Sequence, residues 1–318
     1  MSGTVTGALG SRAIIGRFYR TLEETQAAAW IGGVAMSIDS NQESEEYKWL
    51  GMSPALREWG GGRQAKGFRD NGLVVKNKVF EGTLKVSVDD LRRDKTGQIM
   101  IRVDELAARA ALHPTKLVST LINDAETGLC YDGQYFFDTD HVEGDSGIQS
   151  NDIVFDISDA GSGGTPTVPT PLTIQRAVMA GVAQMMGFKD DQGEPMNEMA
   201  QRFICMVPPS FMGSTTTALS SRMLANTEDN PLAGGAGGFT ITPVINPRLT
   251  WTTKLALFRA DGRVKPFIWQ EEEGTQVSAV AEGSELEFQQ REHHYGVTRI
   301  CNAAYGYWQH ACLVTLQA

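Results

Sequence analysis

Apolar and polar positions along the chain change period several times, and each change marks an element. At the start, Phe18, Tyr19 and Leu22 fall on one side of a short amphipathic stretch, predicting a helix over 17–28. Trp30–Ile38 then reads as a strand and Asn41–Glu46 as a polar turn. Large apolar groups (Tyr47, Trp49, Leu50, Leu56, Trp59) lead to the triple glycine at 60–62. Beyond the Asp70-Asn71-Gly72 turn signal lie two strand-like runs, Leu73–Phe80 and Thr83–Val88. The second alternates Leu84, Val86 and Val88 with Thr83, Lys85 and Ser87, the period of a ribbon with one apolar face.

The period then shifts to 3.6. Val103, Leu106, Ala107, Ala110, Leu117, Val118, Leu121 and Ile122 form a stripe over 101–123, with Pro114 inside it to kink or split the helix. Residues 128–141 read as strand and turn, dense in aromatic side chains. Residues 158–170 are rich in Gly, Ser, Thr and Pro, the composition of a connection. Thr170 followed by Pro171 predicts a capped helix to about Gly187. The remainder is mainly β: strands near 203–207, 240–245, 255–259 and 264–269, a glycine-rich loop at 234–238, and one long strand or a pair over 295–316.

The chain has 318 residues, enough for one large or two modest subdomains. Its 41% apolar and 21% charged residues are those of a globular protein. No stretch approaches the roughly 20 apolar residues of a membrane span, and the first residues lack the pattern of a secretory signal. Cys130, Cys205, Cys301 and Cys312 form no CxxC pair, so four buried small hydrophobes in a reducing compartment are expected.

The net charge of −10 argues against strong nucleic-acid affinity, while permitting a wall that surrounds DNA. Charge is unevenly spread. Between Arg63 and Lys85 six basic residues (Arg63, Lys66, Arg69, Lys76, Lys78, Lys85) face two acidic ones. Between Glu271 and Glu292 seven glutamates face Arg291. A basic and an acidic segment on one chain can attract copies of itself, or be two separate solvated surfaces.

Candidate chemistry is sparse. Asp138, Asp140 and His141, with Asp132 and Glu143 nearby, could ligate a divalent cation, although the same spacing describes a polar corner. His293 and His294 are adjacent and would point to opposite faces of a strand. There is no GxSxG elbow, and the 234–238 run lacks the Lys-Ser/Thr of a phosphate loop. The expectation is no enzyme, no catalytic residue, no metal and no cofactor.

Several motifs in order carry a family resemblance: Tyr47–Gly51, Arg57-Glu58-Trp59, Asn77–Thr83, Val88–Leu91 and, above all, Leu129–His141. Together they resemble the major head subunit family of Mu-like tailed phages. Members usually follow the histidine with proline, where this chain has Val142. The resemblance implies an α+β chain with the Johnson fold of tailed-phage capsid proteins. Its parts would be an N-terminal arm (1–46), an extended β-hairpin loop (47–92), a peripheral domain with a spine helix (93–205), an axial domain (206–286) and C-terminal strands returning to the periphery (287–318).

It also implies a major capsid protein that self-assembles into an icosahedral shell around double-stranded DNA. Its partners would be itself in hexamers and pentamers, a scaffold and a maturation protease during assembly, a portal, and a decoration protein as a further candidate. Location would be the virion, with assembly in the host cytoplasm and no membrane. Phe18, Tyr19, Arg63, Lys66, Arg69, Lys76, Lys78, Lys85, Glu271, Glu272 and Glu273 are the expected contacts between subunits. Two alternatives stand beside this reading: an encapsulin-like compartment of the same fold, and a metal-dependent enzyme centred on Asp138, Asp140 and His141.

Overall fold

The structure is a computed structural model. It describes residues 10–25, 28–47, 72–94, 96–160, 163–221, 230, 232 and 238–318. Two sheets organise these residues, and each takes strands from distant parts of the chain.

The first sheet has the order β1-β11-β12-β4. Its strands are β1 (Ala35–Asp39), β4 (Lys78–Ser87), β11 (Phe267–Val280) and β12 (Glu292–Tyr305). β1 runs parallel to β11, while β11–β12 and β12–β4 are antiparallel. One face is covered by α1 (Ser11–Glu24), α4 (Gln98–Ala111) and α5 (His113–Asn123). Ile14 and Phe18 of α1, Val103 and Ala107 of α4, and Tyr295 and Val297 of β12 are buried together. Burying these side chains contributes roughly 1.5–3 kcal/mol for each large apolar group, which holds the first helix down.

The second sheet has the order β5-β13-β10-β8-β9. It comprises β5 (Asp152–Asp156), β8 (Arg202–Val207), β9 (Thr240–Ile245), β10 (Lys254–Arg259) and β13 (Ala311–Gln317). Helix α6 (Pro171–Met186) lies against it, with Ile174, Val178 and Val182 in the core and Gly181 where the backbone comes closest. A Cβ on Gly181 would stand 2.4 Å from a methyl of Leu257. Thr170 caps the helix by accepting the Thr173 N–H, with Pro171 in the first turn as expected. A short pair, β6 (Gly164–Thr165) and β7 (Val168–Pro169), lies in the connection before it.

The helical stripe splits at its proline: α4 ends at Ala111 and α5 begins at His113, with Pro114 in its first turn, where a missing N–H costs nothing. Other elements depart from the sequence expectation. The first helix begins at Ser11 rather than near Arg17, because Ile14 belongs to the same buried stripe as Phe18. Residues 31–34 form one helical turn, α2 (Ile31–Val34), before β1. The polar stretch expected as a turn contains β2 (Ser44–Tyr47), whose partner is β3 (Leu73–Lys76). Tertiary packing also makes helices of α3 (Val88–Arg93), α7 (Met212–Ser220) and α8 (Glu285–Gln290), which no long apolar period announces.

The two strand-like runs 73–80 and 83–88 are not arms of one ribbon. β4 joins most of them into a single strand, paired with β12 from Cys301↔Lys78 to Glu292↔Ser87. Leu84 and Val86 point under the helices, so this half of the basic stretch stays in its own globule. The expectation of one extended β-hairpin loop over 47–92 is corrected to that extent; residues 48–71 lie outside the described residues.

Candidate assembly surface

The segment 129–151 that carries the strongest family motif folds as turns held by two isolated bridges, Leu129↔Tyr135 and His141↔Gln149. His141 is buried, and its ring stacks on Trp308 at 4.0 Å and 8°. Its Nδ1 lies 2.6 Å from Asp132 Oδ2, itself almost fully buried, and its Nε2 lies 3.3 Å from Asn151 Oδ1. The Asn151 amide donates to the carbonyls of Phe136 and Trp308, while its Oδ1 accepts the Asp138 N–H. Asp138 spends its carboxylate on the N–H groups of Tyr135 and Thr139. Asn197 performs a parallel task, donating to Met185 O and Gln309 O. The geometry is that of a hydrogen-bonded corner tying the hairpin to the C-terminal strands. Among the described residues no group of three His, Cys, Asp or Glu converges to hold a metal.

His293 and His294 alternate across β12, as strand geometry requires. His293 is buried beside Tyr295 and Glu287, and His294 lies near Glu292. The four cysteines are buried and unpaired. Burial pushes the Cys205 thiol up to about 12 and the Cys301 thiol up to about 11, away from thiolate chemistry.

The residues expected to meet other subunits are distributed unevenly. Phe18 is buried in its own chain, and the Tyr19 hydroxyl accepts the Val277 N–H. Lys76 pairs with Glu43 at 2.7 Å and Lys85 with Glu292 at 2.6 Å. Glu271 pairs with Arg299 at 2.9 Å, whose guanidinium sits over Trp269. Lys78, Glu272 and Glu273 are exposed. Lys78 and Glu271 occupy one row of the same sheet, each opposite Cys301, so β12 separates the basic and acidic strands. Arg63, Lys66 and Arg69 lie outside the described residues, as does the glycine loop except for Gly238.

What the structure adds is the pair of strands on either side of residues 48–71. Tyr47 faces Leu73 across the antiparallel pair of β2 and β3, so the chain leaves and returns at adjacent points. Beneath this pair is a buried network. The Tyr47 hydroxyl donates to Gln270 Oε1 at 2.6 Å, Gln270 Nε2 donates to Asn77 Oδ1 at 2.7 Å, and Asn77 Nδ2 donates to Gln42 O and Ser40 Oγ. Burial raises the Tyr47 phenol to about 12, so it remains a donor. Asn77 is the residue between β3 and β4, and its bonds mark where the strand changes partner. The other missed surface is apolar: Phe288 of α8 is 89% exposed at the β11–β12 tip, and Met199 and Ile148 are also exposed. No periodic pattern distinguishes such single side chains from core residues.

Relatives place this architecture. A major capsid protein of Escherichia phage Mu is 40% identical over 108 residues, 34% of this chain and 35% of that protein. A Mu-like prophage FluMu major head subunit of Haemophilus influenzae is 33% identical over 111 residues, 36% of its length. The chain thus aligns with about a third of the length of these curated relatives. Among solved structures, the procapsid of bacteriophage JBD30 superposes with a TM-score of 0.55 at 24% identity, over 99% of this chain and 77% of that one. A virus-like particle from Pyrococcus furiosus reaches a TM-score of 0.53 at 8% identity, over 94% and 96%. These neighbours share the phage-capsid fold, an α+β architecture. The family described as Mu-like prophage major head subunit gpT matches residues 11–163 and 249–317, which hold the whole first sheet and strands β5, β10 and β13 of the second, and the chain belongs to that family.

Proposed function

We propose that this chain is the major head subunit of a tailed phage, a structural protein whose copies close into an icosahedral shell around double-stranded DNA. The observation that carries this reading is the family match across both sheets. The fold shared with capsid chains supports it. A thin shell holds by many lateral contacts, and an extended segment buries its apolar groups on a neighbour at roughly 25 cal/mol per Å². Charge complementarity then sets register more than strength.

In this proposal the copies form hexamers and pentamers. Scaffold, maturation protease, portal and decoration protein are the accessory partners, assembly is in the host cytoplasm, and the final location is the virion. Electron microscopy of the purified chain under assembly conditions is expected to show closed particles. A chain that stays monomeric across protein concentration, pH and crowding, and with scaffold supplied, sinks the proposal. Because the Pyrococcus particle shares the fold, a compartment enclosing protein cargo is the competing reading. Particles from the native source that contain DNA support the phage head, whereas cargo enzyme without DNA supports the compartment.

A further inference from the structure

A buried histidine stands between two carboxylates where α1 meets the tip of the first sheet. His293, on β12, is 4% exposed. Its Nε2 lies 3.4 Å from Glu287 Oε1 of α8, at ion-pair distance but outside hydrogen-bond geometry. Its Nδ1 lies 3.5 Å from the Tyr295 hydroxyl. From there the row of contacts reaches α1. The Tyr295 hydroxyl is 3.0 Å from Ser11 Oγ, and Ser11 gives its N–H and its hydroxyl to the two oxygens of Glu282 at 2.8 and 2.6 Å.

The protons along this row leave the imidazole one satisfactory form. The Glu282 carboxylate only accepts, so the Ser11 hydroxyl proton points at it and Ser11 Oγ is left to accept. The Tyr295 hydroxyl therefore donates to Ser11, and burial raises its phenol, which keeps that proton in place. The Tyr295 oxygen then turns lone pairs to His293 Nδ1, while the Glu287 carboxylate turns lone pairs to Nε2. A neutral imidazole carries one N–H, so one of its nitrogens must set a lone pair against an oxygen. Only the imidazolium offers a donor to each. Both carboxylates favour it, because bonds from Ser11 lower Glu282 and the Gly283 N–H lowers Glu287, with the charge of His293 adding to each.

The other charges nearby are committed elsewhere. Arg291, at the end of α8, bonds to Asp89 at 2.7 Å. Lys85 and Glu292 pair beside His294 on the opposite face of β12. Arg12 of α1 is exposed, and the residue opposite His293 on β4 is the apolar Val86. The elements joined here have few other ties. Helix α8 buries no side chain; Ser284 caps it, and it returns to β12 through Arg291 at φ 54°, a region that residues with a Cβ seldom adopt. Beneath the start of α1 is a small apolar gap bordered by Ile14, Phe18, Val277 and Tyr295.

We propose that His293 is a proton-operated latch: protonated, it ties α8 to the first turn of α1 across the sheet tip, and neutral, it lets the two separate locally. The latch lies within one chain and stands apart from the shell reading. Its state sets how α8 presents Phe288, which is 89% exposed. A cation that gains carboxylate partners in the folded chain contributes while it is protonated, and that contribution is lost as pH rises and the proton leaves. Histidine is the side chain that makes this change between about pH 5 and 8.

Amide hydrogen exchange of the full, unassembled chain at pH 6 and pH 8, corrected for the intrinsic pH dependence of exchange, reads the latch at Ser11 and Gly283. Their N–H groups bond to Glu282 and Glu287. Protection at both sites is expected to be about tenfold greater at pH 6. His293→Gln is expected to abolish the difference and leave both sites at their pH 8 level, whereas His294→Gln, on the other face of the strand, keeps it. Glu287→Gln leaves the imidazole in place on an intact strand and is expected to shrink the difference, so it decides the matter if His293→Gln fails to fold. Equal protection at the two pH values in the wild type overturns the proposal. So does a pH response that survives His293→Gln, or one that Glu287→Gln leaves undiminished.

Discussion

At the scale of single residues, the Asp132–His141–Trp308 stack gives a row of carboxylates beside a histidine a structural task. Both ring nitrogens face oxygen atoms at 2.6 and 3.3 Å, and the ring is packed against an indole. An imidazole whose two nitrogens and one face are committed serves the fold. Removing one member of a buried, hydrogen-bonded pair leaves the other without its partner and costs about 3 kcal/mol. Asp132→Ala is therefore expected to lower the urea-unfolding free energy by about that amount. A loss below about 1 kcal/mol would mean the corner is not the anchor described. The sequence did reveal the residue types and their closeness, and it named a structural corner as one of two readings. What it could not reveal was Trp308, some 170 positions away, which completes the stack.

At the scale of elements, α1 is clasped at two points by carboxylates from other parts of the chain. Asp104 accepts from Arg17 Nε and Nη2, both at 2.8 Å, and from the Thr21 hydroxyl. Glu282 accepts from the Ser11 N–H and hydroxyl. The hydrogen bond and charge of Arg17 hold Asp104 below its usual range, and the bonds from Ser11 do the same for Glu282. A depressed carboxylate contributes stability that is present above its unfolded pKa and lost as pH falls through the folded one. The clasp is therefore intact at neutral pH and weakens below about pH 4. Limited proteolysis near residues 25–28 is expected to accelerate there, at a pH where the far-UV spectrum has not changed. If Asp104→Asn with Glu282→Gln leaves cleavage at pH 7 unaltered, the clasp does not restrain the helix. The apolar stripe Phe18–Leu22 was visible in the sequence; Asp104 and Glu282 were not, because ion pairs between distant segments leave no local period.

At the scale of the whole molecule, charge is unevenly spread along the chain. Residues 128–149 and 187–200 hold nine carboxylates against Lys189, and residues 48–71 five basic residues against two acidic ones. A chain with net −10 is expected to leave duplex DNA unshifted in a gel at physiological salt. A clear shift with micromolar affinity would contradict a wall that encloses DNA without gripping it. No helix among the described residues is long and apolar enough to cross a membrane.

The sequence by itself determined the elements whose information is local. The capped helix after Thr170, the split at Pro114, the strands 202–207 and 254–259, and the alternation of β4 all follow from propensity, capping and burial period, which act within a few residues. Only the tertiary structure decided partnership: that β4 lies against β12, that β3 turns to β2, and that β13 enters between β5 and β10. An apolar face specifies that a strand must be covered but not by which neighbour, because any strand of matching alternation satisfies its backbone bonds. The choice is made by the sum of many distant contacts, and no window of the sequence contains that sum.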